Sequence, residues 1–144
     1  MRPGEAVVDT AAEEGVIGIS QLPDFLQALE EHHRSVKWIK RIELSCPGIG
    51  DGETSISGIG DRAKHLGVFT APYCIAGATG VWKVHVLKDD PENPIPPILS
   101  LPLIEALGMR IDLGDNCICL QRCAGQPVVT MRIVPNSRHR SISV

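Results

Sequence analysis

Ala6-Val7-Val8-Asp9-Thr10-Ala11-Ala12-Glu13 is the stretch on which the reading of this chain turns. An apolar strand runs directly into an aspartate, then a small hydroxyl residue, then two alanines. An acid at the end of a buried strand is costly unless it is hydrogen-bonded or paired. Small residues behind it let another backbone approach closely. This combination suits a shared carboxylate pair: two aspartates about 3 Å apart cannot both ionise near neutral pH, so they share one proton. One then acts as a base on water and the other as an acid toward a peptide carbonyl. The Thr10 hydroxyl can brace the loop. The plainer reading makes Asp9 and Thr10 ordinary turn residues. The order of further elements along the chain decides between the two.

Outward from this stretch, most apolar segments are short, β-branched and bounded by Gly, Pro, Asn or Asp, the pattern of strands and turns. Residues 5–8 and 16–19 read as short strands. Residues 66–75 form a longer one, interrupted at Pro72, which predicts a bend or an edge. Val81-Trp82-Lys83-Val84-His85-Val86-Leu87 alternates with period two, placing Trp82, Val84 and Val86 on an apolar face of a half-buried strand. Residues 116–121, 128–134 and 141–144 are further strands. A helix over 20–33 follows from the stripe Leu22, Phe25, Leu26 and Leu29, with Ser20 as its N-cap and Pro23 in its first turn. A second, over 101–107, has Ser100 to cap it, Pro102 at its start and Gly108 to end it. Seven or eight strands and two short helices make a mainly-β fold in a single domain, residues 1–144.

Composition narrows the function classes. The chain has 144 residues, 43% apolar and 22% charged, with a net charge of −3. Its pI of about 5.9 argues against a nucleic-acid-binding domain, which carries a basic patch. Five aromatics, Phe25, Trp38, Phe69, Tyr73 and Trp82, are too few for a base-stacking platform. No apolar run approaches the ~18 residues that span a bilayer. Met1-Arg2-Pro3-Gly4-Glu5 lacks the apolar core of a signal peptide. The odd set Cys46, Cys74, Cys117, Cys119 and Cys123 argues against a secreted disulfide framework. The expectation is an intracellular, cytoplasmic protein with reduced thiols and neither nucleic-acid nor membrane partners.

Val8-Asp9-Thr10-Ala11-Ala12 followed by Val16-Ile17-Gly18 resembles the active-site segment of retropepsin-like aspartic proteases, whose pattern is apolar-Asp-Thr/Ser-Gly-Ala and then a short apolar strand. A second element is similar to the family's second half: Ile98-Leu99, Ser100, a short helix to Gly108, then Met109-Arg110-Ile111-Asp112-Leu113. Its distance from Asp9, about ninety residues, suits the DNA-damage-inducible-type and retrotransposon-encoded members. A third element lies between them. Trp38-Ile39 leads into Cys46-Pro47-Gly48-Ile49-Gly50-Asp51-Gly52, and a glycine-rich tip between strands suits a mobile lid.

The resemblance implies an acid-protease barrel with a flap hairpin. It implies a homodimer with Asp9 of each chain on the two-fold axis, acting on a polypeptide substrate with neither metal nor cofactor. Asp9 is then catalytic, with Thr10, Ala11 and Ala12 as the active-site loop. Trp38, Pro47, Gly48, Ile49 and Gly50 belong to the flap, and Ile98 and Leu99 support the loop from beneath. Processing of a retroelement polyprotein is the implied role. Two positions depart from the pattern: Ala11 and Ser100 stand where glycine is usual, and an alanine at 11 would be strained at positive φ. Only eight residues precede Asp9 where the family carries an extra hairpin, which implies N-terminal truncation, a fragment or a degenerate copy. Residues 135–144 read as a tail. The alternative is a catalytically inactive dimerisation or peptide-binding module, or a fragment that does not dimerise.

Other candidates have plainer readings. Cys117-x-Cys119-x₃-Cys123 lacks zinc-knuckle spacing and reads as buried strand cysteines. His32-His33 reads as a helix end and His85 as a strand residue without a motif partner. Gly48-x-Gly50-x-Gly52 lacks the Lys-Ser/Thr of a phosphate loop. Asp112 reads as a strand edge or turn, and Asp51, Glu13-Glu14 and Glu30-Glu31 as solvated charge.

Overall fold

The computed structural model describes residues 1–33, 52–53 and 64–144. In chain order the elements are β1 (Glu5–Val8), β2 (Gly15–Gly18), α1 (Leu22–His33), β3 (Gly52–Glu53), β4 (Lys64–Ile75), β5 (Ala78–Leu87), β6 (Ile98–Leu99), α2 (Leu101–Leu107), β7 (Met109–Asp112), β8 (Cys117–Leu120), β9 (Val128–Thr130), β10 (Arg132–Ile133) and β11 (Arg140–Ser143). The fold is mainly β with two helices.

Alternation sets the longest elements. Along β5, Trp82, Val84 and Val86 are buried, while Val81 and Lys83 are exposed. β4 pairs with it antiparallel from His65 to Ile75, with an irregularity at Leu66. Ala76 (φ 49°) and Gly77 (φ 84°) close the hairpin with positive φ at both turn positions, the geometry that matches strand twist. Pro72 does not interrupt β4. It sits in register with Val81, so its missing N–H faces the side away from β5.

Eight strands form one mixed sheet in the order β10-β11-β1-β6-β2-β5-β4-β3, and β7-β8-β9 form a second. The expected barrel is not closed: among the described residues no pairing joins β10 to β3. Residues 128–134 are not one strand. Buried Met131 separates β9, which pairs with β8, from β10, which pairs with β11. Residues 140–143 of the expected tail lie within the large sheet, where β11 runs antiparallel to β1.

Phe25 and Leu29 of α1 pack into a core with Phe69, Ile75, Val84, Leu99, Leu103 and Ile118, and Phe25 meets Trp82 edge-on at 6.4 Å. The expected cap of α1 is different. Ser20 donates both its N–H (2.9 Å) and its hydroxyl (2.6 Å) to Asp89, and the helix starts two residues later. Asp89 also accepts from Ile95 N–H at 3.0 Å. A Cβ at Gly18 would overlap the Asp89 carboxylate, so this close approach requires glycine there. Ser100 stands at the N-cap of α2 but makes no side-chain cap bond, while Gly108 ends that helix at φ 58°. Cys117 and Cys119 are half-exposed rather than buried, because Ile118 and Leu120 take the core face of β8.

A second polar anchor ties the chain ends together. Glu5 accepts from Arg132 through a paired contact with Nε (2.9 Å) and Nη2, from Ser141 Oγ (3.2 Å) and from Arg2 N–H (3.1 Å). Burial pushes the Glu5 carboxyl up, but the bonds from Arg132, Arg2 and Ser141 outweigh it and hold it below its ordinary value. Asp89 is likewise held down by its bonds from Ser20 and Ile95 against the opposing effect of burial. A carboxyl whose folded pKa lies below its unfolded one adds stability that is complete above the unfolded value and is lost as pH falls through the folded value. Unfolding free energy should therefore drop on acidification through and below the ordinary carboxylate range. Glu5→Gln should remove part of that pH dependence in urea titrations run from neutral pH to about pH 3. Parallel wild-type and variant curves would contradict the clamp.

Candidate active site

Asp9 follows β1 directly. Its backbone is fixed by the pairing of β1 with β6, in which Val7 and Val8 lie parallel to Ile98 and Leu99 and Val7 N–H donates to Pro97 C=O at 2.7 Å. β6 also touches β2, through Val16 and Ile98. The two-residue strand thus lies between the strands on either side of the Asp9 loop. Leu99 is fully buried and Ile98 partly so.

The loop itself is an Asx turn. Ala11 N–H donates to Asp9 Oδ1 at 2.9 Å, and Ala12 N–H donates to Asp9 C=O at 3.3 Å. Its far side is held by Leu101 N–H, which donates to Ala12 C=O at 2.7 Å. The start of α2 therefore grips the loop that carries Asp9. Thr10 and Ala11 are exposed and Asp9 is half-buried. Ala11 is not among the residues at positive φ, so its methyl group carries no backbone strain.

A cleft of about 420 Å³ opens beside Asp9. It is lined by the apolar Val8, Ile111, Leu113 and Met131, by Thr10 and by the basic run Arg138-His139-Arg140. Arg140 is fixed, donating from Nε to Asn116 Oδ1 and from Nη1 to Arg138 C=O, both at 3.0 Å. Asp112 closes the β7–β8 turn by accepting from the N–H groups of Gly114 and Asp115.

Of the residues singled out in the sequence, Asp9, Thr10, Ala11 and Ala12 form one loop, with Ile98 and Leu99 in the strand beside it. Trp38, Pro47, Gly48, Ile49 and Gly50 lie outside the described residues. Met131 and the basic run were missed as cleft residues. The signal available for them was the charge of 138–140 and a lone apolar residue between Thr130 and Arg132. Among the described residues no three His, Cys, Asp or Glu side chains are grouped so as to hold a metal ion, and no helix is long and apolar enough to cross a membrane.

The solved retroviral protease-like domain of Ddi1 from Leishmania major is similar to this chain, at a TM-score of 0.47 and 16% identity, over 85% of this chain and 91% of that one. No family model matches the chain, and no curated protein matches it.

An alanine at ordinary φ stabilises a loop relative to glycine by restricting the unfolded chain. Ala11→Gly should therefore lower stability by about 0.4–1 kcal/mol in urea unfolding. A gain in stability would reveal strain at this position.

Proposed function

We propose that the chain is a retropepsin-like aspartic endopeptidase that works as a homodimer, with Asp9 from each copy forming the dyad. The observation that carries this reading is the grip on the Asp9 loop by a segment about ninety residues away. Leu101 N–H binds Ala12 C=O, and Ile98-Leu99 run beside Val7-Val8. The two sequence elements that resemble the family's two halves thus meet at the strand and loop that carry Asp9. The exposure of Thr10 and Ala11 supports their meeting a second copy.

In the proposed reaction the two Asp9 carboxyls share one proton. The ionised member takes a proton from a water molecule, which attacks the peptide carbonyl, while the protonated member donates to the carbonyl oxygen. No covalent intermediate forms on the protein, and the chemistry calls for neither metal nor cofactor. Thr10 braces the loop and the apolar residues of the cleft receive substrate side chains, while the flap expected at residues 37–58 lies almost entirely outside the described residues. Processing of a retroelement polyprotein remains the role suggested by the sequence resemblance.

Cleavage of a mixed peptide library between about pH 3 and 7 tests this, with wild type and Asp9→Asn in parallel. Removing a general acid–base group should lower the rate by about 10²-fold or more. Sedimentation should show a dimer for both proteins. Equal cleavage by both would sink the assignment of Asp9. No cleavage by folded, dimeric wild type would leave the inactive dimerisation module as the reading.

A further inference from the structure

Glu14, His85 and His65 form a chain of contacts outside the cleft. Glu14 lies at the end of the loop that begins with Asp9, His85 is on β5 and His65 is on β4. His85 Nε2 is buried and lies 3.3 Å from Glu14 Oε2, close enough for charge attraction but short of full hydrogen-bond geometry. On the other side of the ring, His85 Nδ1 is 3.0 Å from His65 Nε2. The ring centroids are 5.1 Å apart. That separation exceeds the nitrogen separation by roughly the two ring-centre-to-nitrogen distances, so the nitrogens face each other nearly head-on. This is the geometry of an N–H···N hydrogen bond. Two imidazoles on one metal ion would instead be splayed about it, and Glu14 reaches the opposite nitrogen of His85.

The protons can be assigned from this arrangement. A carboxylate accepts only, so the proton of neutral His85 belongs on Nε2, facing Glu14. Nδ1 then accepts from His65 Nε2–H. One additional proton leaves the chain intact, because His65 can take it at Nδ1 while still donating from Nε2. A second proton puts N–H groups on both facing nitrogens, destroys the hydrogen bond and sets two like charges against each other.

We propose that Glu14, His85 and His65 are a pH-sensitive latch, which ties the Asp9 loop to the β4–β5 hairpin and opens when both imidazoles are protonated. Its neighbours support this. Val16 of β2 and Val68 of β4 lie in register with His85, and Gly52 of β3 and Leu87 of β5 with His65; none of these titrates. Among the described residues the charged groups nearby are Glu14 on the loop, Lys83 on β5, and Lys64, which precedes His65 on β4 and lies in register with Glu53 of β3. Burial lowers the His85 pKa below its ordinary value, and His65 and Lys83 lower it further against the opposing pull of Glu14. The latch is therefore closed at neutral pH and opens on acidification. Its consequence for catalysis rests on the assignment of Asp9, but the latch itself does not.

The test is an NMR titration of the imidazoles with amide hydrogen exchange, corrected for intrinsic rates, from about pH 8 to 5. In wild type, His85 should titrate below its ordinary value. Protection of residues 15–17 should fall several-fold once the second proton binds. In His65→Gln, whose carboxamide carries no charge, His85 should titrate in one step at a higher pH than in wild type. Glu14→Gln should shift His85 to lower pH. A His85 titration that His65→Gln leaves unchanged, or protection of 15–17 that does not change between the two ends of the range, would overturn the latch. Stoichiometric zinc binding to both rings at neutral pH would also overturn it, in favour of a metal pair. No arm depends on cleavage, so a pH-dependent latch in a protein without peptidase activity would refute the Asp9 reading and leave the latch standing.

Discussion

Everything near Asp9 depends on a two-residue strand. β6 fills the space between β1 and β2, which the Asp9 loop must span, and it satisfies backbone groups that would otherwise be buried without partners. Leu99 contributes a fully buried side chain to the core, and the next backbone N–H but one, that of Leu101, seizes the loop. The loop cannot shift without breaking a strand pairing, a core contact and a helix start together. An acidic side chain is thus held at the end of an apolar strand by structure that comes from the other half of the chain.

Two carboxylates away from the cleft act in a different way. Glu5 joins the first strand to β10 and β11, and Asp89 joins the end of β5 to the start of α1. Both are held ionised by donors that approach from several directions, and Asp89 requires a glycine at position 18 to be approached at all. The Glu5 anchor ties the β10–β11 edge of the sheet to β1 and the Asp89 anchor ties the ends of the neighbouring strands β5 and β2, while the apolar core supplies the burial. The acid strength of the anchors also sets a limit on any chemistry at low pH, since the scaffold weakens as they become protonated.

Much of this was legible in the chain. The period-two run at 81–87 gave the buried face of β5. The Pro102 and Gly108 signals bounded α2 at Leu101–Leu107, and Ala6-Val7-Val8 before Asp9 gave β1. What escaped had a common cause. Ser20 looked like a helix cap because a cap is a local pattern, and its true partner Asp89 is 69 residues away. Residues 128–134 looked like one strand because alternation does not say which sheet a strand joins. The cysteines of β8 looked buried because residue type was read without the competing claim of Ile118 and Leu120.

The sequence by itself determined the mainly-β character, the two helices and the candidate carboxylate with its small-residue loop, because each depends on spacing and residue type within a few positions. Only the tertiary structure decided that β6 lies beside β1, that Leu101 holds Ala12, that Glu5 meets Arg132 and that His85 lies between Glu14 and His65. These are pairings between residues that lie from about twenty to more than a hundred positions apart. A local pattern carries no record of its distant partner, and which partner is met is settled when the sheet order brings the strands together.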